Sequence, residues 1–296
     1  MPKNKSLSYI HVFVFILMTA FSIIYIHNIS VIIPVDLMIF LMTLYIIIFF
    51  HLLRIKTFKK TYISLKTDKF SYVSAMFFLC LLWLGTFIIS SYYSPVIYII
   101  SATAWSATFS SFYLFIKNKS KLQLLRGSML LALIATMYIA LYRDFTFNRY
   151  ILMLLLTFTS GVGMYGYLFY SHKLHNIGLT TIDILMVRFW PLFLISFVVV
   201  IFNHSWSHIN GNVLFDMIVL TVCTVLPVYF SQKSVECIGA EQTSLFIAIT
   251  PLVTFILEKF LTNIAILDTG YISVLLGAII IGFGLYSKFI MTKSNQ

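Results

Sequence analysis

Charged side chains are scarce in this chain: 10% of its 296 residues are Asp, Glu, Lys or Arg, and only nine are acids. A soluble domain carries about 25%, so a water-facing surface is excluded for most of the length. Cysteine is nearly absent as well. Cys80, Cys223 and Cys237 lie far apart with no C-x-x-C spacing, which argues against a disulfide framework or a thiolate metal site and for apolar packing. His204 and His208 stand i,i+4 but lack an acid or Cys companion, and a structural metal needs three or four ligands. No H-E-x-x-H, G-x-S-x-G, Walker A or Rossmann pattern occurs. Nor are there acid/base or nucleophile pairs of the kind an intramembrane enzyme would need. No catalytic residue, metal or cofactor is expected. No stretch reads as a linker between independent domains.

What is abundant is apolar surface: 60% of residues are hydrophobic and the mean hydropathy is +0.98. Ten stretches are each long enough to cross a bilayer. In hydrocarbon every backbone N–H and C=O must be satisfied inside its own segment, so each is expected to be an α-helix. The predicted spans are 1 (about Ser8–Ile26), 2 (about Val35–Leu53), 3 (about Ser71–Ser90), 4 (about Pro95–Ile116) and 5 (about Leu122–Leu141). They continue with 6 (about Arg149–Tyr170), 7 (about Ile182–Phe202), 8 (about Val213–Ser231), 9 (about Ala240–Leu261) and 10 (about Tyr271–Ile290). The fold class expected is an all-α polytopic membrane protein. Lys3 and Lys5 precede an apolar run with no small-residue cleavage site, so span 1 reads as a retained helix.

The net charge of +11 would suggest nucleic acid in a soluble protein, but its distribution points elsewhere. With ten alternating spans, Lys3, Lys5, the Arg54–Lys69 loop, the Lys117–Arg126 connection, Lys173, Lys233, Lys288 and Lys293 share one side. Only Arg143, Arg149 and Lys259 fall opposite. The positive-inside rule places both termini in the cytoplasm of a cell whose plasma (inner) membrane holds the protein. The basic balance reflects topology and anionic lipid rather than nucleic acid.

Division near Arg143–Arg149 leaves five spans in each half, 1–145 and 146–296. An odd number makes the second half enter from the opposite face, so two similar halves form an inverted repeat. Span 2 opens Ile33-Pro34-Val35-Asp36-Leu37-Met38-Ile39-Phe40, and span 7 opens Thr181-Ile182-Asp183-Ile184-Leu185-Met186-Val187-Arg188-Phe189. Gln123 to Gly127 in span 5 likewise parallels Ser273 to Gly277 in span 10.

Polar chemistry concentrates in a few places. Span 4 has a hydroxyl-rich middle in which Ser101, Trp105 and Thr108 share a face at 100° per residue. That face is expected to line a cavity, against the alternative that its hydroxyls bond back to the i−4 carbonyl. Span 6 contributes Thr157, Ser160, Met164 and Tyr165, with Gly161, Gly163 and Gly166 thinning the helix for packing. In span 9, Glu241, Ser244 and Pro251 share a face, and Pro251 removes a donor and invites a kink. Glu241 and Glu258 sit toward the ends of that span and read as solvated caps. Arg188 lies two turns into span 7, where a charge costs about 2.5–3.5 kcal/mol; snorkelling to the headgroups is the expected relief. Asp183 stands five residues before it, a poor spacing for a pair.

At these residues the chain resembles the EamA-type branch of the drug/metabolite transporter superfamily. The likeness rests on the five-plus-five layout, the Arg188-Phe189 pair, the Ser244–Pro251 stretch with Leu252-Val253-Thr254, and Gly277-Ala278-Ile279-Ile280-Ile281-Gly282-Phe283-Gly284. Ile39 stands where a matching Arg would precede Phe40. Span 1 lacks the membrane-embedded Glu that small multidrug transporters of that superfamily use for proton exchange. The resemblance implies ten helices in two inverted five-helix repeats and a secondary transporter working by alternating access. Its substrate would sit among spans 1, 3, 4, 6, 8 and 9. Candidate contacts are Ser101, Trp105, Thr108, Thr157, Ser160, Tyr165, Thr224, Tyr229, Gln242 and Ser244, with Arg188 and Pro251 as structural or gating residues. Export of an amino acid or related metabolite is favoured. Uptake of a host metabolite such as S-adenosylmethionine is the alternative, and a non-transporting membrane scaffold is the rival from another class. The partners expected are a small-molecule substrate and the lipid bilayer, with the chain monomeric or dimeric.

Overall fold

The computed structural model describes the backbone of residues 5–141, 146–247 and 249–262, and their side chains apart from those of 5–9, 140–141, 241–242, 244–245 and 262. Among these residues there is no strand. The helices are α1 (Lys5–Ile29), α2 (Val35–Leu53), α3 (Phe58–Leu65), α4 (Lys69–Tyr92), α5 (Pro95–Asn118) and α6 (Lys121–Leu141). There follow α7 (Phe147–Asn176), α8 (Thr181–Val187), α9 (Trp190–Asn203), α10 (Gly211–Ile247) and α11 (Thr250–Thr262). Eight helical stretches are long and apolar enough to cross a membrane, with α3 and α4 taken as one and α8 and α9 as another. Such lengths and hydropathies make this a multi-pass helical membrane protein.

Local chemistry sets the ends. Pro34 cannot continue a helix backwards, and α2 starts on the next residue and ends before Arg54, where span 2 was expected. Ser94 caps α5 by accepting from the Val96 N–H at 3.2 Å, with Pro95 at the first helical position, where no donor is missed. Thr180 and Asp183 form a reciprocal capping box at the start of α8. The loop between spans 2 and 3 holds a helix of its own, α3, which the sequence reading did not anticipate.

The two halves of the chain pack directly, α4 against α7, through the glycines of span 6. A Cβ at Gly163 would stand 2.6 Å from the Leu82 nitrogen and 2.7 Å from the Phe78 carbonyl oxygen, and one at Gly166 would stand 2.4 Å from the Phe78 ring. Gly161 meets α5 in the same way, 2.2 Å from the Trp105 Cβ. In lipid there is no hydrophobic drive between helices, and close backbone approach supplies the attraction instead.

Three expectations about continuity are corrected. Span 7 is not one helix but α8 and α9, interrupted at Arg188-Phe189. Pro191 is the reason: it has no N–H to give the carbonyl of Val187, and its ring crowds that oxygen. Spans 8 and 9 meet at Gly239, whose φ of 83° is open to glycine alone among common residues. Span 9 is itself divided, α10 ending at Ile247 and α11 beginning at Thr250. Pro251 thus falls in the first turn of α11, a place that tolerates it, rather than inside a long helix. Span 10 and the Gly277–Gly284 stretch lie outside the described residues.

Candidate functional site

The break after Val187 buries a cation among the helices. Arg188 is 2% exposed. Its guanidinium carbon lies 4.9 Å from the Tyr167 ring centre and 4.7 Å from that of Phe189, a cation–π arrangement. Its Nε is buried and makes no hydrogen bond. The expectation that Arg188 snorkels is therefore corrected: packing by Leu185, Met186, Val187 and Phe189, all buried, holds it inside. Asp183 is not its partner either, since the Arg54 Nε lies 3.2 Å from that carboxylate and the Thr61 hydroxyl donates to it at 2.9 Å.

Arg188 lines a cavity of about 90 Å³. On a scale where one water takes ~10–15 Å³, that is room for several waters or a small solute. The walls come from α1 (Phe15, Thr19, Ser22, Ile23), α4 (Leu79, Leu82, Trp83, Thr86), α5 (Tyr98, Ile99), α7 (Met164, Tyr167, Leu168) and α10 (Pro227, Val228, Ser231, Ile247). Most of these positions lie well inside their helices, so the cavity sits at depth in the bundle. Pro227 is the interior proline of α10; it frees the carbonyl of Cys223, a local weakening that is tolerated where protein or a cavity faces it.

Several polar groups in the wall are already committed. Ser22 and Thr224 share a hydrogen bond at 3.2 Å. The Thr86 hydroxyl bonds the Leu82 carbonyl at 2.7 Å and the Tyr98 hydroxyl at 2.5 Å. The Tyr167 hydroxyl donates to Gln232 Oε1, whose Nε2 meets His175 Nε2 at 2.6 Å. Among the described residues, the Arg188 Nε and the Thr19 Oγ1 of the wall are buried without a hydrogen-bond partner.

The residues singled out from sequence are distributed differently. Ser101 and Thr108 are buried and donate to the carbonyls of Ile97 and Ala104, at 2.7 and 2.8 Å. Trp105 is half-buried among Phe109 and Phe158 rather than in the cavity wall. Thr157 is buried, donates to the Met153 carbonyl at 2.8 Å and meets the Tyr138 hydroxyl. Ser160 is buried opposite Gly85, Tyr165 stacks beside Tyr113 and Phe169, and Tyr229 packs edge-on to Phe230. Thr224 reaches the cavity through Ser22. The side chains of Gln242, Ser244 and Glu241 lie outside those described. Glu258 is not a solvated cap: it is buried and accepts from the Ser94 hydroxyl at 2.9 Å.

Of the described residues singled out from sequence, Arg188 and Met164 enter the cavity wall. The sequence reading missed Thr19, Ser22, Trp83, Tyr98 and Tyr167. The signal that could have led to the site was the pair of prolines in apolar spans, Pro191 just after Arg188 and Pro227 mid-span, since both free carbonyls at membrane depth. No family model matches the chain, and no curated protein matches it in sequence.

Proposed function

We propose that this protein is a secondary transporter that moves a small organic metabolite across the plasma membrane by alternating access. In this reading ten helices form two inverted five-helix repeats, 1–145 and 146–296, with both termini in the cytoplasm. The observation that carries it is the cavity: it lies deep in the bundle, is walled by helices from both halves, and is flanked by a helix break bearing a buried charge. Transporters place their binding sites in this way, at mid-membrane where discontinuous helices meet. The walls are spans 1, 3, 4, 6, 8 and 9, with span 7 adding Arg188. Arg188 supports the reading on energetic grounds, because a charge kept in the membrane interior with no ion-pair partner among the described residues is costly and marks a functional position. Export is the favoured direction, and uptake is the alternative.

The test combines flux with accessibility. In proteoliposomes, Thr19→Cys and Val228→Cys should each react with a membrane-impermeant thiol reagent added from either side, and solute should protect both. Labelled solute should also exchange across the membrane without ion leak. A cysteine that reacts from neither side would support the scaffold reading, and steady ion conductance would make the protein a channel. Either result would end the transporter proposal.

A further inference from the structure

We infer that the cavity is a binding site for a short-chain organic monocarboxylate, held by Arg188 and Thr19. This rests on the transporter reading only for the solute's movement; the site is argued from the side chains. A guanidinium presents its Nε and Nη donors as a planar fork that fits the two oxygens of a carboxylate. The guanidinium carbon lies against the Tyr167 and Phe189 rings, and the Nε has no hydrogen-bond partner. The Thr19 hydroxyl, on another wall of the same cavity, is likewise buried without a hydrogen bond. A buried donor left unsatisfied is costly, and an arginine and a threonine that line one cavity with such donors define what a ligand has to offer: acceptor oxygens and a negative charge.

Size and wall chemistry narrow the class. An apolar cavity of 150 Å³ takes benzene, so about 90 Å³ suits a body of about four or five heavy atoms. Phe15, Trp83 and Val228 supply hydrocarbon surface for that body. The wall holds one cation, so a phosphate dianion would bring uncompensated charge into low dielectric. It holds no carboxylate among the described residues, so the ammonium of an α-amino acid would lack an anionic partner. A two- or three-carbon monocarboxylate meets all of these conditions.

Propionate, propionamide and alanine differ in head group at nearly constant size and provide the probe set. Calorimetric titration of the full-length protein in detergent should show propionate binding about tenfold or more tighter than propionamide or alanine, as expected for hydrogen bonds to a charged group. Arg188→Gln should abolish that preference, Arg188→Lys should retain part of it, and Thr19→Val should weaken propionate a few-fold. A thermal melt of each variant separates loss of the site from loss of the fold. Equal binding of propionate and propionamide overturns the assignment. So does undiminished propionate binding by folded Arg188→Gln, displacement of propionate by chloride at equal concentration, or no binding up to about 50 mM. Propionate that binds but does not cross proteoliposomes leaves the site intact and ends the transport reading. Flux of another solute that propionate fails to inhibit does the reverse.

Discussion

The middle of α5 and the break between α8 and α9 present polarity in opposite ways. The α5 segment from Ser101 to Ser111 is rich in hydroxyls, yet Ser101, Thr103, Thr108 and Ser111 all return their protons to carbonyls of their own helix. The break has a single ionisable group, Arg188, and its Nε is unspent. Four of the six hydroxyls in a tract that looks polar are thus spent within their own helix, with the Trp105 Nε1 buried and unbonded outside the cavity, whereas one charge beside a proline stands in the cavity wall. The number of polar atoms matters less than how many lack a partner where a solute can reach them.

The strongest way to break this contrast is to remove the charge. Arg188→Met should eliminate propionate-dependent stabilisation in thermal melts while leaving the ligand-free protein as stable or up to about 4 kcal/mol more stable, because a buried unpaired cation is replaced by packed hydrocarbon. A loss of stability above about 1 kcal/mol would show that stacking on Tyr167 and Phe189 outweighs the desolvation of the charge.

Steric crowding comes next. Gly161→Ala puts a methyl on the Trp105 Cβ, 2.2 Å away, and should cost about 1–3 kcal/mol of stability. Trp105→Ala should cost a similar amount, about 1–3 kcal/mol, by emptying the space beside Phe109 and Phe158. In the protein that stays folded it should leave propionate affinity within about twofold. Loss of binding in Trp105→Ala with unchanged melting would put the α5 face into the site and erase the contrast drawn above.

Pro191→Ala gives a smaller effect through the backbone. It restores a donor for the Val187 carbonyl and straightens the chain at Arg188, so propionate affinity should fall by about 1 kcal/mol, or roughly fivefold. Unaltered affinity would mean that Arg188 is positioned by its side-chain stacking alone. Smallest of all, Ser101→Ala and Thr108→Val should change stability by no more than about 0.5 kcal/mol and leave binding alone, since each hydroxyl only shares a carbonyl already bonded within the helix.

The helices were largely legible. The ends of α2 coincide with those expected because Pro34 and Arg54 bound an uninterrupted apolar run, and α5 overshoots its expected end by a single turn or less. The interruptions at Pro191 and Gly239 were legible in principle, although hydropathy averages across them, and Pro251 marks the one beside Ile249. The site was mostly illegible. Thr19 resembles any other threonine of an apolar helix, and whether it bonds its own backbone or faces a cavity depends on helices distant in sequence.

By itself the sequence determined that this chain lives in lipid, that its segments are helices, and that Arg188 falls within an apolar span at a cost; that it is buried rather than snorkelling came from the structure. The first three follow from local rules, because hydrocarbon forces each segment to satisfy its own backbone and penalises every charge. Tertiary structure alone decided that Asp183 goes to Arg54, that Ser22 meets Thr224, and that Thr19 and Arg188 remain unpaired around one space. Pairing is a property of distance between helices, and in a membrane that distance is set by glycine contacts such as Gly163 on Leu82 rather than by the polar residues themselves.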